Sequence, residues 1–284
     1  MEVVTLAEIA VDAIARGLLF ALLGAGITLV FGLGDVLNLS LGAFAIVAAV
    51  IGATVVSTVP VPIAALAALA GVAALGLAID RVLLSPVYRT DGEERILLGI
   101  FVTLGLAIAI DGVLFAEFSL RYAFPLDVAS RTIGGVTVLG STMVVIVVAS
   151  IALAGLFLFL RRTTLGKATR TVFQDETGAL LCGINPRRLR SLIFVLSVVM
   201  AGTAGLLWSI QAPVGAGSAF DLTIYGIIVS IVGGVRNIEG TAVAGVGLGL
   251  LMTYANYFIG AYQAMIVLFG FVVVVLIARP EEIA

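Results

Sequence analysis

The chain contains apolar runs that no charge interrupts, and the last of them, residues 261–278, reads AYQAMIVLFGFVVVVLIA. Such a run lacks the apolar–polar alternation of a barrel strand, and its length approaches the roughly 20 residues a helix needs to cross a bilayer. A helix in lipid satisfies its own backbone, so helices are the elements this pattern selects. Reading the remaining stretches between charged or turn-rich breaks predicts spans at 11–31, 38–57, 62–84, 96–116, 137–160, 191–210, 219–235, 240–258 and 261–278. The expectation is an all-α polytopic membrane protein of about nine transmembrane segments, within a range of eight to ten. Glycine-broken stretches at 32–37 and 233–240 are where a discontinuous or re-entrant helix would change that count. Only 11% of the 284 residues are charged, against about 25% in soluble domains. No linker, low-complexity stretch or internal repeat divides residues 1–284, which read as one transmembrane domain.

Charge is unevenly distributed. Arg161, Arg162, Lys167, Arg170, Arg187, Arg188 and Arg190 crowd residues 161–190 against only Asp175 and Glu176. Basic loops stay in the cytoplasm, so this segment is expected there. Alternation then puts the N-terminus outside and the C-terminus in the cytoplasm, with twelve basic residues inside and only Arg16, Arg121 and Arg131 outside. Histidine is absent and Cys182 is the only cysteine. That excludes imidazole or thiolate metal cages, intrachain disulfides and histidine acid–base chemistry. Gly166–Lys167 lacks the loop before it and the hydroxyl after it that a phosphate loop needs, so no nucleotide site is expected. Neither a catalytic residue, a metal site nor a nucleic-acid partner is expected.

The basic loop is too patterned for a simple turn. Gln174 to Cys182 can form a short helix, opened by Asp175 as N-cap and closed by Gly183 before Pro186. It would present Ala179, Leu180 and Ile184 between basic flanks. Two readings stand side by side: docking into a groove of a cytoplasmic partner, or attraction of a basic loop to anionic lipid. Gly245 and Gly249, one turn apart, allow close approach of a neighbouring helix, either inside the subunit or at a subunit interface. Gly32, Gly34, Gly233 and Gly234, with Asp35, Asn38 and Arg236, mark either broken helices lining a cavity or ordinary turns. Asp111 lies inside a span about five residues, roughly 8 Å, from its outer end; interfacial, pathway-lining and proton-relay roles are all open to it. Asp80 and Arg81 read as an interfacial pair. Asn38, Ser40, Thr103, Tyr225 and Asn256 offer polar groups to a solute or to neighbouring helices.

Three quoted stretches share an order with a known family: LGKATRTVFQDETGALLCGINPRRLRSLIFVLSVVMAGTAGLL, LTIYGIIVSIVGGVRNIEGTAVAGVGLGLLMTY from Leu222, and GITLVFGLGDVLNLSLGAF near the N-terminus, with VTLGLAI from Val102 a weaker fourth. In this the chain resembles the membrane permeases of ATP-binding-cassette importers for branched-chain amino acids, a group that also serves urea, short amides and simple sugars. Leu41 stands where that family usually has histidine, and the closing Arg-Pro-x-Gly becomes Arg279, Pro280, Glu281, Glu282. The resemblance implies a permease subunit in a prokaryotic cell membrane, carrying branched-chain or other aliphatic amino acids. It further implies a homologous second permease, as homo- or heterodimer, two ATPase subunits holding ATP and Mg, and an extracytoplasmic solute-binding protein. Gln174, Asp175, Glu176, Ala179, Leu180, Gly183 and Ile184 would then couple to the ATPase, while Asn38, Ser40, Thr103, Asp111, Gly233 and Gly234 are pathway or broken-helix candidates. The rival from another class is an ion-coupled secondary transporter with Asp111 at its centre.

Overall fold

The computed structural model describes residues 2–34, 36–90, 92–118, 121–126 and 128–278. Asp35, the closing residues 279–282 and the C-terminus lie outside the described residues. Among the described residues, seven helices are long and apolar enough to cross a membrane: α1 (Glu2–Gly34), α3 (Val61–Ile79) with its continuation to Val87, α5 (Gly92–Glu117), α6 (Gly140–Arg162), α9 (Pro186–Gln211), α11 (Ile238–Ile259) and α12 (Ala261–Ala278). Two apolar helices, α2 (Leu41–Val55) and α10 (Ser218–Gly233), have 15 and 16 residues. At 1.5 Å per residue they reach only about 22–24 Å, short of the ~30 Å hydrocarbon core. Nine apolar helices among the described residues thus match the nine expected segments, but two of them begin inside the bundle.

The first break falls slightly beyond its glycines and the second falls on them. Gly32 and Gly34 are carried within α1, and the non-helical stretch is 36–40. Gly233 closes α10 and Gly234 turns the chain at φ +93°, so four residues connect α10 to α11. Between α3 and the short α4 (Ser85–Val87) the chain widens into a π-turn at Asp80–Leu84. Pro86 follows after Ser85, lacking an N–H and crowding the preceding turn, and a widened turn is one accommodation of such a residue. The widened turn at Asp80–Leu84 was not legible in hydropathy.

Position in the bundle follows burial. The apolar windows of α1 and α9 are 78% and 72% buried, whereas those of α5, α11 and α12 are 17% buried; α1 and α9 therefore form the centre and the others the periphery. Glycine permits the closest contacts. A Cβ on Gly249 would strike the backbone of Gly17, and one on Gly245 the backbone of Ala21. Gly245 and Gly249 thus lie on the face of α11 that meets α1 within the subunit. A Cβ on Gly205 would likewise strike the Ala45 carbonyl, joining α9 to α2.

The two ends of the bundle differ. At one, a hairpin of β1 (Arg131–Ile133) and β2 (Val136–Val138) turns through Gly134 and Gly135, both at positive φ. Its Thr137 N–H donates to Glu8 Oε1 at 2.8 Å, and Thr142 Oγ1 donates to Asp12 Oδ1 at 2.8 Å, both on α1. The other is the basic end, where α7 (Thr164–Gln174) and α8 (Glu176–Leu181) lie between α6 and α9.

Candidate functional site

The short helices α2 and α10 meet at their N-terminal turns. Gly42 makes this possible, because any Cβ there would occupy the place of the Ala219 carbonyl oxygen. The extended stretch before α2 needs partners for its backbone, since unpaired peptide groups are not tolerated at such depth. Two threonines supply them. Thr103 Oγ1, on α5, accepts the Leu39 N–H at 3.1 Å and lies 3.0 Å from the Leu37 carbonyl and 2.8 Å from that of Gly99. Thr223 Oγ1, on α10, accepts the Gly42 N–H at 2.9 Å. Asn38 Oδ1 accepts from Ser40 N–H at 3.1 Å and from Ser40 Oγ at 2.6 Å, forming a local turn into α2. Asn38, Ser40 and Thr103 are all fully buried, and the Asn38 amide nitrogen has no partner among the described residues.

Asp111 belongs to the same region. It lines a cavity of about 70 Å³ with Leu39, Ala43, Ile108, Phe220 and Thr223. One carboxylate oxygen, Oδ1, is shielded from solvent and has no hydrogen-bond partner among the described residues. The structure therefore brings Asn38, Ser40, Thr103 and Asp111 around one broken-helix junction. Gly233 and Gly234 stand apart, at the basic end, where a Cβ on Gly233 would strike the backbone of Thr241. Tyr225 stacks on Phe20 and Trp208 with centroid separations of 4.9 and 6.1 Å. Asn256 faces a separate cavity of about 340 Å³ beside Asp12, Arg16 and Gln211.

The sequence did not single out Thr223 or a buried hydroxyl cluster of Thr28, Ser230 and Thr241. Thr28 Oγ1 lies 2.7 Å from Ser230 Oγ and 2.9 Å from Thr241 Oγ1, tying α1, α10 and α11 together near the basic end. Threonine recurs throughout the chain, and only tertiary contact separates these from the rest.

At the basic end the loop is more helical than expected. Thr163 caps α7 through Gly166 N–H at 2.9 Å, and α7 buries Thr169 and Val172 while exposing Lys167, Arg170 and Thr171. Gln174 closes α7 instead of opening the next helix. Asp175 is the N-cap of α8, accepting Gly178 N–H at 2.9 Å, and Gly183 follows at φ +78° with Ile184 N–H returned to the Ala179 carbonyl at 2.9 Å. The expected outward face needs correction. Ala179 is fully buried, because it packs toward the subunit's own core, and Ile184 is half-buried there; the exposed apolar side chains are Leu180 and Leu181, the latter 86% exposed. The Glu176 side chain lies outside the described residues.

Asp80 is also corrected. It is 2% exposed and accepts a short hydrogen bond from Ser191 Oγ on α9, while Arg81 faces outward. Arg190 stacks over the Tyr88 ring at 5.5 Å. Burial first, then the nearby Asp80, hold the Tyr88 phenol well above the ordinary tyrosine range, with Arg190 opposing. Among the described residues no group of histidine, cysteine, aspartate or glutamate is placed to hold a metal ion.

A chain of this kind, with long apolar helices packed through glycine and two short helices meeting inside the bundle, is built as a polytopic membrane protein. Comparison gives the family. Residues 9–278 match the family model described as branched-chain amino acid transport system / permease component. The chain belongs to this family. The high-affinity branched-chain amino acid transport system permease protein BraD of Pseudomonas aeruginosa is 26% identical over 96% of this chain and 94% of its own. LivH of Salmonella typhimurium, named in the same way, is 25% identical over 96% and 93%. The probable branched-chain amino acid transport permease protein LivH of Methanocaldococcus jannaschii is 29% identical over 86% and 79%. Among solved structures, PsaBC from Streptococcus pneumoniae in complex with Fab shares the fold, with a TM-score of 0.50 at 14% identity over 93% of this chain and 90% of that one.

Proposed function

We propose that this chain is the permease subunit of an ATP-driven importer of branched-chain amino acids, working as one transmembrane unit beside a second permease. The observation that carries the reading is the family match across residues 9–278, with relatives named for branched-chain amino acid transport over 96% of the chain. The basic end faces the cytoplasm, in keeping with the positive-inside rule. There α8, held to its own subunit by Ala179, offers Leu180 and Leu181 to an ATPase. Two ATPase subunits bind ATP and Mg, and a solute-binding protein delivers the amino acid at the opposite end.

The broken-helix junction flanks the path. Helix N-termini carry partial positive charge and suit a carboxylate, a carboxylate such as Asp111 suits an ammonium group, and Leu39, Ala43 and Ile108 suit an aliphatic side chain. These are the three parts of a branched-chain amino acid. ATP-driven closure of the ATPases would move α7 and α8 and rock the bundle, opening the path alternately to each side.

The test is uptake of radiolabelled leucine into proteoliposomes containing the permease pair, its ATPases and its binding protein. Uptake is expected to require both internal ATP and the binding protein. Uptake that survives ATP removal and collapses with the proton gradient would overturn the reading in favour of an ion-coupled carrier.

A further inference from the structure

At the basic end two cavities run together between α6 and α11. The first, about 380 Å³, is bordered by Arg161, Arg170, Gln174, Arg236 and Glu239. The second, about 630 Å³, is walled by Ala154, Leu158, Ala242 and Val243, with Arg162 at its rim. Both share Phe157, Arg161 and Glu239, so they form one groove. Its rim holds four arginines against one glutamate. Arg161 and Glu239 pair across the groove at 2.5 Å, but both are more than half exposed, so the pair is a surface contact of small energetic weight.

The groove descends into the membrane-spanning part of both helices. Ala154 precedes the end of α6 by eight residues, which is about 12 Å along the axis. Leu158 and Val243 are 61% and 74% exposed, and a Cβ added to Gly155 would meet nothing within 4 Å. A soluble anion could use the arginine rim but not this apolar lower half. A loop or extended segment of a cytoplasmic polypeptide would have to bring its backbone into hydrocarbon depth, where its peptide groups find no partners. A molecule with an anionic head and an acyl chain fits both halves.

We infer that the groove between α6 and α11 is a binding site for an anionic phospholipid, its phosphate among Arg161, Arg170 and Arg236 and one acyl chain against Leu158 and Val243. Basic pockets between membrane helices at the cytoplasmic level bind such headgroups by this combination of charge and apolar contact. The site is separate from the broken-helix junction and does not depend on which solute is carried.

The experiment is native mass spectrometry of the full chain, with its co-purifying subunits, released from nanodiscs of phosphatidylglycerol and phosphatidylethanolamine in equal amounts. Retained lipid is expected to be mostly phosphatidylglycerol. Arg161→Gln with Arg170→Gln, which removes two of the three phosphate contacts, should lower its retention at least roughly tenfold, since each surface cation contributes separately to binding an anionic lipid. Val243→Trp, which fills the lower groove while leaving every arginine, should also reduce lipid retention, and inorganic phosphate should not compete at low millimolar concentration. Retention of both lipids in equal proportion, unchanged retention in the double arginine variant, or unchanged retention in Val243→Trp with free phosphate competing would each overturn the proposal.

Discussion

Thr103 shows how much one hydroxyl can hold. It accepts one N–H of the non-helical stretch and lies in reach of two carbonyls, at a place with no exposure to solvent. Thr103→Val keeps the shape but leaves the Leu39 N–H unpaired, a loss of about 1–3 kcal/mol for a buried group. The expected result is a lower unfolding temperature of the purified chain, restored in Thr103→Ser; equal stability of the valine variant would mean the stretch is held by other contacts. Asp111 is of another kind, because its unpartnered oxygen contributes nothing visible to the fold. Asp111→Asn is expected to leave assembly intact while slowing leucine uptake at least tenfold, and normal uptake would remove it from the path. Tyr88 adds a pH dependence. Its phenol is raised in the folded chain, so the stability tied to the neutral form is complete below the unfolded value of about 10 and is lost as pH climbs beyond it. Thermal stability should therefore fall above about pH 10 more steeply in the natural chain than in Tyr88→Phe, measured by intrinsic fluorescence.

At the scale of elements, hydropathy alone located the long helices, because nothing else makes a run such as 261–278. It also separated α10 from α11 at the paired glycines. It failed where length was the deciding property: α2 and α10 look like spans in sequence, and only the partners Thr103 and Thr223, on distant parts of the chain, show that they begin inside the bundle. The N-cap at Asp175 and the turn at Gly183 were readable because both rest on local chemistry. The outward face of α8 was not, since six residues give no periodicity that distinguishes Ala179 from Leu181. That face decides the coupling test. Leu181→Arg is expected to weaken ATPase binding, or to leave ATP hydrolysis without uptake, while the bundle stays folded. Ala179→Arg should instead strand a cation in the subunit's own core and reduce assembly. If Leu181→Arg couples normally, α8 is not the ATPase contact. Gly249→Leu would drive a side chain into the Gly17 backbone, and its expected consequence is loss of assembled protein, read by size-exclusion chromatography.

For the whole molecule, the arrangement in the membrane has a direct probe in the chain itself. Cys182 is free and exposed beside α8 at the basic end. A membrane-impermeant maleimide is expected to label it only after cells are permeabilised; labelling of intact cells would reverse the proposed topology. The junction of α2 with α10 bears finally on how such a chain enters the membrane. Gly42 and the threonine that receives its N–H are 181 residues apart. At 5–20 residues per second, synthesis takes about 10–35 s to bring Thr223 into being after Gly42. During that interval α2 is a 15-residue apolar segment without its companion helix, too short to sit stably across the bilayer on its own. Its place in the membrane is thus completed after translation of α10, so a ribosome-stalled chain ending before residue 218 should leave an engineered cysteine at Ala43 open to modification. The full chain should protect it, and equal protection in both would show that α2 settles without α10.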